Sequence, residues 1–269
     1  MAKNPKNAEV YQKLIRSCKY FFVQNPIIVL ERIFIRKQKS EFNNVIKCSD
    51  IDRLLSKLWV TEKFENSPKF MDPKIYRSLI SSTIPKLYQV DAKECFIRDQ
   101  ILSFKEFLFL SSNVQHIVLN CTVVKNEDGS VVPLEKLVAV LPNVKIVEFY
   151  DSTPSSISKN TVQELLMLPH FSTINKFEFY NVPEIFDFVM FFDYMKTNKH
   201  TDFVFWLRDL ISEDYKNRIE AIIDEILESQ IYEFKIPLIR GAGIDDEKWI
   251  KLYVLWDRQM KNLLLSGNP

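Results

Sequence analysis

Only four glycines occur in 269 residues. A chain this poor in glycine lacks the loops that cradle phosphates, and a backbone that must turn left-handed has to use Asn or Asp instead. The three histidines, His116, His170 and His200, lie far apart and without metal-ligand spacing. Cysteine is scarce too: Cys18, Cys48, Cys95 and Cys121 show no close pairing, and no Cys-x-x-Cys or Gly-x-Ser-x-Gly occurs. Gly241-Ala242-Gly243 is a lone Gly-x-Gly and reads as a turn. No catalytic residue, metal ligand or cofactor site is therefore assigned. Catalytic groups that converge from distant positions leave a hydrolase or transferase as the alternative class.

Long apolar runs are missing as well. The most apolar stretches, Tyr20–Leu30 and Ile185–Met195, fall short of the roughly 20 residues a spanning helix needs. Met1–Lys13 is polar, with no apolar run behind its lysines, so no export signal is expected. These points predict a cytoplasmic or nuclear protein without a membrane contact. Its thiols are then expected reduced and buried, and the acceptor triplet Asn120-Cys121-Thr122 silent. A net charge of +1 argues against a nucleic-acid partner held by bulk electrostatics. The charge is uneven, however. Residues 1–60 hold 12 Lys and Arg against 5 Asp and Glu, while the remainder holds 24 against 30. A basic head on an acidic body points to an acidic partner for the head, unless the asymmetry is chance.

What the sequence does have is apolar material, 46% of the chain with 21 Phe, enough for a continuous core. It is arranged as a repeat. Val114 leads into Ile117 and Leu119, Val144 into Val147 and Phe149, and Ile174 into Phe177 and Phe179, at thirty-residue intervals. Apolar residues at relative positions four and six alternate as in a strand with one buried face. The same template fits Leu55, Leu58 and Val60, then Ala92, Cys95 and Ile97, and more loosely Phe203 with Phe205 and Tyr232 with Phe234. Helical patterns separate these strands. Leu134, Leu137, Val138 and Leu141 share one face, and Val162, Leu165, Leu166 and Leu168 follow a capping Ser158. Phe186, Val189, Met190 and Phe192 form the next helix, and Ile219, Ile222, Ile223 and Ile226 the one after Ser212. The pattern predicts an α/β fold: an irregular solenoid with parallel strands on the concave side and helices outside. A doubly wound sheet is the competing architecture, but its Gly-rich turns are missing.

Two local patterns resemble known families. The strand segments are similar to leucine-rich repeats, with Val114, Ile117, Leu119 and Val124 at positions one, four, six and eleven. Position nine holds Thr122, Ser152 and Val182 instead of the family's Asn, so the buried Asn ladder is absent. Separately, the run from Val10 to Phe21, with Leu14 ahead of Ser17-Cys18-Lys19-Tyr20, resembles the last helix of an F-box. Together they resemble nematode families that join an F-box-like start to a repeat-like body, and here the F-box-like start is truncated. The resemblance implies two domains, a helical head over residues 1–45 and a repeat-like body with a helical C-terminal cap over residues 46–269. It also implies an adaptor that holds a protein target on the body. Its head would dock onto the acidic linker subunit of a cullin-based ubiquitin ligase. In that head, Val10–Phe22 is expected as one helix with Leu14, Cys18 and Phe21 facing the body and Lys13, Arg16 and Lys19 in solvent. Arg36–Asn44 is the linker candidate.

Positions five and seven of the template point away from the core. Position seven holds Asn120, Tyr150, Tyr180 and Trp206, and position five holds Glu148, Glu178 and Glu233 with Val118 and Val204. On strands roughly 4.8 Å apart, Tyr150, Tyr180 and Trp206 form a stripe beside an acidic row. Exposed, the stripe is a partner-binding anchor, since Tyr and Trp dominate hot spots. Otherwise it packs under a loop or against the chain end, with Lys176 paired to the acids. Trp249, Leu252, Tyr253, Trp256, Leu263 and Leu264 recur at near-helical spacing, which reads as a cap or else as a partner-binding helix.

Overall fold

Short parallel strands alternate with helices along the chain. The computed structural model describes residues 5–35, 51, 53–67, 76–150, 156–229, 231–241 and 243–265. The proposed linker 36–44, Cys48 and Ser152 lie outside these residues, as do the side chains of Leu263 and Leu264. Contacts divide the chain into two units, Met1–Ser130 and Val131–Pro269.

The first unit opens with α1 (Ala8–Ser17), capped by the Asn7 side chain, which accepts from the Val10 amide at 2.9 Å. The single helix expected over Val10–Phe22 is in fact two. Cys18 is extended, with φ −154°, and α2 (Lys19–Gln24) starts beyond it. The face that packs also differs from expectation. Leu14 and Phe21 are only half-buried and Cys18 is exposed, whereas Tyr11 is fully enclosed against Ile27 and Trp59. The Tyr11 hydroxyl explains the choice: it donates to the Asn25 carbonyl and accepts from the Ile27 amide, tying both sides of the turn that ends α2. Lys13, Arg16 and Lys19 are exposed, as their places on the wheel predict.

Beyond the head come β1 (Ile27–Ile35), β2 (Lys57–Asn66), α3 (Leu79–Thr83), β3 (Leu87–Val90), β4 (Glu94–Arg98), β5 (Ile101–Ser103), α4 (Phe104–Ser111), β6 (His116–Asn120) and β7 (Val123–Lys125). Every pairing among them is parallel: β1 with β2, β2 with both β3 and β4, β4 with β6, and β5 with β7 apart from the rest. Because β2 is long, its start serves β3 and its end serves β4. Val60, though buried, therefore pairs with Val90, and Phe64 is the residue level with Cys95 and Ile117. The template set on Leu55, Leu58 and Val60 is displaced accordingly, and Leu55 is 99% exposed. Ile97 and Leu119 are buried as expected.

Position nine does its work without Asn. The Thr122 hydroxyl donates to the Ile97 carbonyl at 3.1 Å, and the Gln100 amide donates to the carbonyls of Tyr76, Arg98 and Asp99. Scarce glycine is likewise replaced after the strands. Asp99, Cys121 and Asn181 take positive φ of 53°, 48° and 65°, each two residues past a buried position six. Asp and Asn were expected there; Cys121 was not, and it is exposed rather than buried.

The second unit contains α5 (Leu134–Ala139), β8 (Ile146–Tyr150), α6 (Thr161–Leu166), β9 (Lys176–Val182), α7 (Phe188–Thr197), β10 (Asp202–Leu207), α8 (Glu213–Glu228), β11 (Leu238–Arg240) and α9 (Asp246–Leu265). Its strands lie in sequence order, β8-β9-β10-β11, all parallel, and each helix packs on its neighbour in sequence. Phe149, Phe179 and Phe205 are buried, as are their partners at position four. Phe191 of α7 sits at the centre, with its ring 5.4–6.1 Å from those of Phe171, Phe177, Phe186, Tyr194, Phe203 and Phe205.

Three local expectations are corrected here. The buried face of α7 is Phe188, Phe191, Phe192 and Met195, while Val189 and Met190 are exposed. Phe186 precedes the helix, because Asp187 is the residue that caps it, accepting from the Met190 amide at 3.0 Å. Asn160 rather than Ser158 precedes α6, with Ser158 and Thr161 hydrogen-bonded in the turn before it. Finally, Tyr232 and Phe234 are not on a strand, and Phe234 is only half-buried. The last strand is β11, where Ile239 is fully buried opposite Phe205. The shift arises because Gln259 of α9 binds the backbone of the 234–236 segment, accepting from the Ile236 amide and donating to the Phe234 carbonyl. Ser212 caps α8, and Ile219, Ile222, Ile223 and Ile226 form its buried stripe as predicted. Among the described residues no helix is long and apolar enough to cross a membrane.

Candidate functional site

The three aromatic position-seven residues of the second unit meet. Tyr150 pairs in register with Tyr180, and Tyr180 with Trp206. Their parallel strands set adjacent side chains side by side, so the rings stack. The Tyr150 and Tyr180 ring centres are 3.9 Å apart with planes within 2° of parallel, and those of Tyr180 and Trp206 are 6.0 Å apart at 14°. All three are half-buried. Asn120, the fourth residue of that position, belongs to the first unit, where it is half-buried on β6 opposite Arg98.

The ladder runs further than the aromatic stripe. Trp206 is in register with Arg240 of β11, whose guanidinium carbon lies 5.5 Å from the Trp206 ring centre and 4.0 Å from that of Trp249 on α9. Trp249 then stacks on Tyr253 at 5.5 Å, and Tyr253 lies 5.9 Å from Trp256. Arg240 thus sits in the middle of a continuous row, with three rings on either side. No protein-family model, curated protein or solved structure matches the chain. What this face does has to be read from its chemistry.

The acidic row beside the rings is largely committed within the fold. Glu178 is buried: Lys176 pairs with one carboxylate oxygen, and the Tyr180 hydroxyl donates to the other at 2.6 Å. Glu178 therefore fixes the Tyr180 ring instead of waiting for a cation. Burial first, then this bond and the neighbouring Tyr150, push the Tyr180 hydroxyl well above its ordinary pKa. Glu148 is half-buried opposite Glu178, and Glu233 is exposed off the strands, paired with Lys199 at 3.3 Å. Val118 and Val204, also at position five, are buried.

At the carboxyl ends of β10 and β11 lies a pocket of about 330 Å³, lined by Trp206, Leu207, Asp209, Arg240, Ile244 and Trp249 among others. Two glycines shape it. A side chain at Gly241 would come within 2.6 Å of the Leu207 Cβ, and Gly243 has φ +84°. Asp245 caps α9, accepting from the Lys248 amide at 2.9 Å, as the acidic run there predicts. Among the described side chains of α9 only Leu252 is fully buried, while Ile250, Tyr253 and Val254 are exposed. The helix covers β11 with one side and continues the ladder with another.

Arg240 and its contact with Trp249 were missed in the sequence. The signal was present: with the last copy set on Leu238 and Ile239, Arg240 falls at position seven, the position of Tyr150, Tyr180 and Trp206. Among the described residues no group of His, Cys, Asp and Glu is arranged to hold a metal ion. Cys95 is buried and its thiol is pushed up to about 12 by burial, whereas Cys18 and Cys121 are exposed, against the expectation of buried thiols.

Proposed function

We propose that the chain is an irregular leucine-rich-repeat-like solenoid that serves as a protein-interaction adaptor, with its target held on the ladder face of the second unit. One observation carries this reading. Tyr150, Tyr180 and Trp206 stack in register and remain half-exposed, although positions four and six already supply the core. Stacking and the Glu178 bond fix these rings before any partner arrives, so binding there loses little side-chain entropy. Anchors of this kind commonly cost about 2 kcal/mol or more when truncated, roughly thirtyfold in affinity. The test is capture from cell extract by the chain and by its Tyr150→Ala variant, quantified by mass spectrometry beside a melting curve. A partner lost by the variant at an intact melting transition supports the reading. Partners retained equally by both place the interface elsewhere.

The head gives the adaptor its second contact, with the acidic linker subunit of a cullin-based ubiquitin ligase. Arg16 and Lys19 are exposed, and so are the apolar Val10, Tyr20 and Val23 of the same two helices. Lys13 is exposed too, but its ammonium pairs with Glu9 at 2.7 Å. Mixing the purified proteins at low salt tests this directly. No complex at micromolar concentration removes the ligase role and leaves the ladder reading standing.

A further inference from the structure

Arg240 is unusual among the charged groups of the ladder face. Its guanidinium carbon lies over two indoles, 4.0 Å from the Trp249 ring centre and 5.5 Å from that of Trp206. It is half-buried, yet among the described residues it makes neither a hydrogen bond nor an ion pair. Its neighbours on the face are treated differently: Lys176 is paired with Glu178, and Lys235 with Asp202 at 2.8 Å. Stacking uses the faces of a guanidinium and leaves its five N–H donors, which lie in the plane, unspent. The pocket of about 330 Å³ opens beside it. A planar fork of unpaired donors next to open space can take a carboxylate in bidentate fashion.

We infer that Arg240 is the specificity residue of the ladder face, and that the partner is an extended polypeptide segment that brings an Asp or Glu side chain to it. This rests on the docking reading given above and names the chemistry of the segment docked. Two features choose a side-chain carboxylate over other acids. Asp209 and Asp246 line the same pocket, and they disfavour a doubly charged phosphate more than a singly charged carboxylate. The position of Arg240, with Tyr150, Tyr180 and Trp206 on one side and Trp249, Tyr253 and Trp256 on the other, suits an acid within a segment and not one at its end. Apolar residues flanking the acid lie along the edges of those rings. An extended chain advances roughly 3.4 Å per residue, so about six residues reach from Tyr150 to Trp249.

The probes are pools of acetylated, amidated peptides of about ten residues, long enough for that span. Each pool is random except for a central Glu, Gln, Lys or phosphoserine, and a further pool ends in Gln with a free terminal carboxylate. Binding to the full chain is read by anisotropy. The Glu pool is expected to bind at least about tenfold tighter than the Gln pool, the size of a single charge-assisted bidentate contact. Arg240→Gln is expected to erase that ratio, and Arg240→Lys, which keeps the charge without the planar fork, to reduce it severalfold. The wild-type ratio needs no variant, so misfolding of a variant cannot rescue the inference. Equal binding of Glu and Gln pools, or preference for Lys, phosphoserine or the free terminus, overturns it. Equal binding that Tyr150→Ala abolishes overturns the acid specificity alone. No binding by any pool removes the docking of a peptide on this face together with it.

Discussion

Removing one oxygen atom from the ladder has a calculable cost. In Tyr180→Phe the ring keeps its place between Tyr150 and Trp206, and only the hydroxyl that donates to Glu178 at 2.6 Å is lost. The acceptor is a carboxylate that is 6% exposed, so water replaces the donor poorly. Hydrogen bonds to charged groups contribute about 1.5–3 kcal/mol, so Tyr180→Phe should destabilise by about 2 kcal/mol. Lys176 stays on the other oxygen. Tyr180→Ala forfeits two stacked contacts as well, at about 0.5–1.5 kcal/mol each, and should cost about 3–5 kcal/mol in all. A double-mutant cycle of Tyr180→Phe with Glu178→Gln isolates the pair and should return a coupling of about 1–2 kcal/mol. Urea unfolding followed by near-UV circular dichroism, which senses the stacked rings, reads each corner. A pH series adds an independent check. The folded state raises the Tyr180 pKa, so it favours the protonated hydroxyl. That contribution is complete below the ordinary value of 10.0 and fades as pH rises above it. Wild type should therefore lose more stability above pH 10.0 than Tyr180→Phe does. A Tyr180→Phe protein within about 0.5 kcal/mol of wild type, with no coupling to Glu178, would refute the reasoning.

Three other outcomes are expected. Phe191→Ala should cost about 3–5 kcal/mol in the same urea assay, because six rings surround it; a loss under about 1 kcal/mol would mean that the aromatic cluster repacks freely. Gly241→Ala should lose about 1–3 kcal/mol, since its Cβ would meet that of Leu207 at 2.6 Å, whereas Gly129→Ala, with nothing within 4 Å, should lose only the smaller cost of its positive φ. In the native protein Cys18 and Cys121 should react promptly with a thiol reagent and Cys95 only on unfolding, as read by mass spectrometry. Because burial raises the Cys95 thiol from 9.0 to about 12, its contribution to stability is complete below pH 9 and lost as pH rises towards 12, and Cys95→Ala should flatten that part of the profile.

The sequence was most legible where one period dominated. Alternation at Ile117 and Leu119, Val147 and Phe149, and Phe177 and Phe179 marked buried positions of parallel strands, because a half-buried strand leaves no other pattern. Where two signals competed, the stronger-looking one misled. Tyr232 and Phe234 alternate as a strand should, whereas Leu238 and Ile239 are adjacent, but Gln259 occupies the backbone groups at 234 and 236 that a strand would need. In the head, Leu14 and Cys18 mark an apolar face by spacing, yet the hydroxyl of Tyr11 reaches two backbone groups no aliphatic side chain can satisfy. Of the candidate site, the aromatic stripe was readable one copy at a time. Its continuation through Arg240 to Trp249 was not, because it depends on the register of β11 and on the path of α9, both set by tertiary contacts.

The order of the strands bears on how the chain is made. In the second unit β9 adds to β8, β10 to β9 and β11 to β10, and in the first β2 adds to β1, β4 to β2 and β6 to β4. Apart from β1 and β8, which open the two series, no strand in these pairings has to wait for a later one before it can bond. A ribosome delivers about 5–20 residues per second, so successive strands some thirty residues apart emerge within roughly 2–6 s of each other. Each finds a partner edge already formed by the segment ahead of it. Within each unit the nascent chain can thus consolidate from its amino end during synthesis, exposing a single growing edge at a time. In the second unit α9 follows β11 along the chain and packs against it.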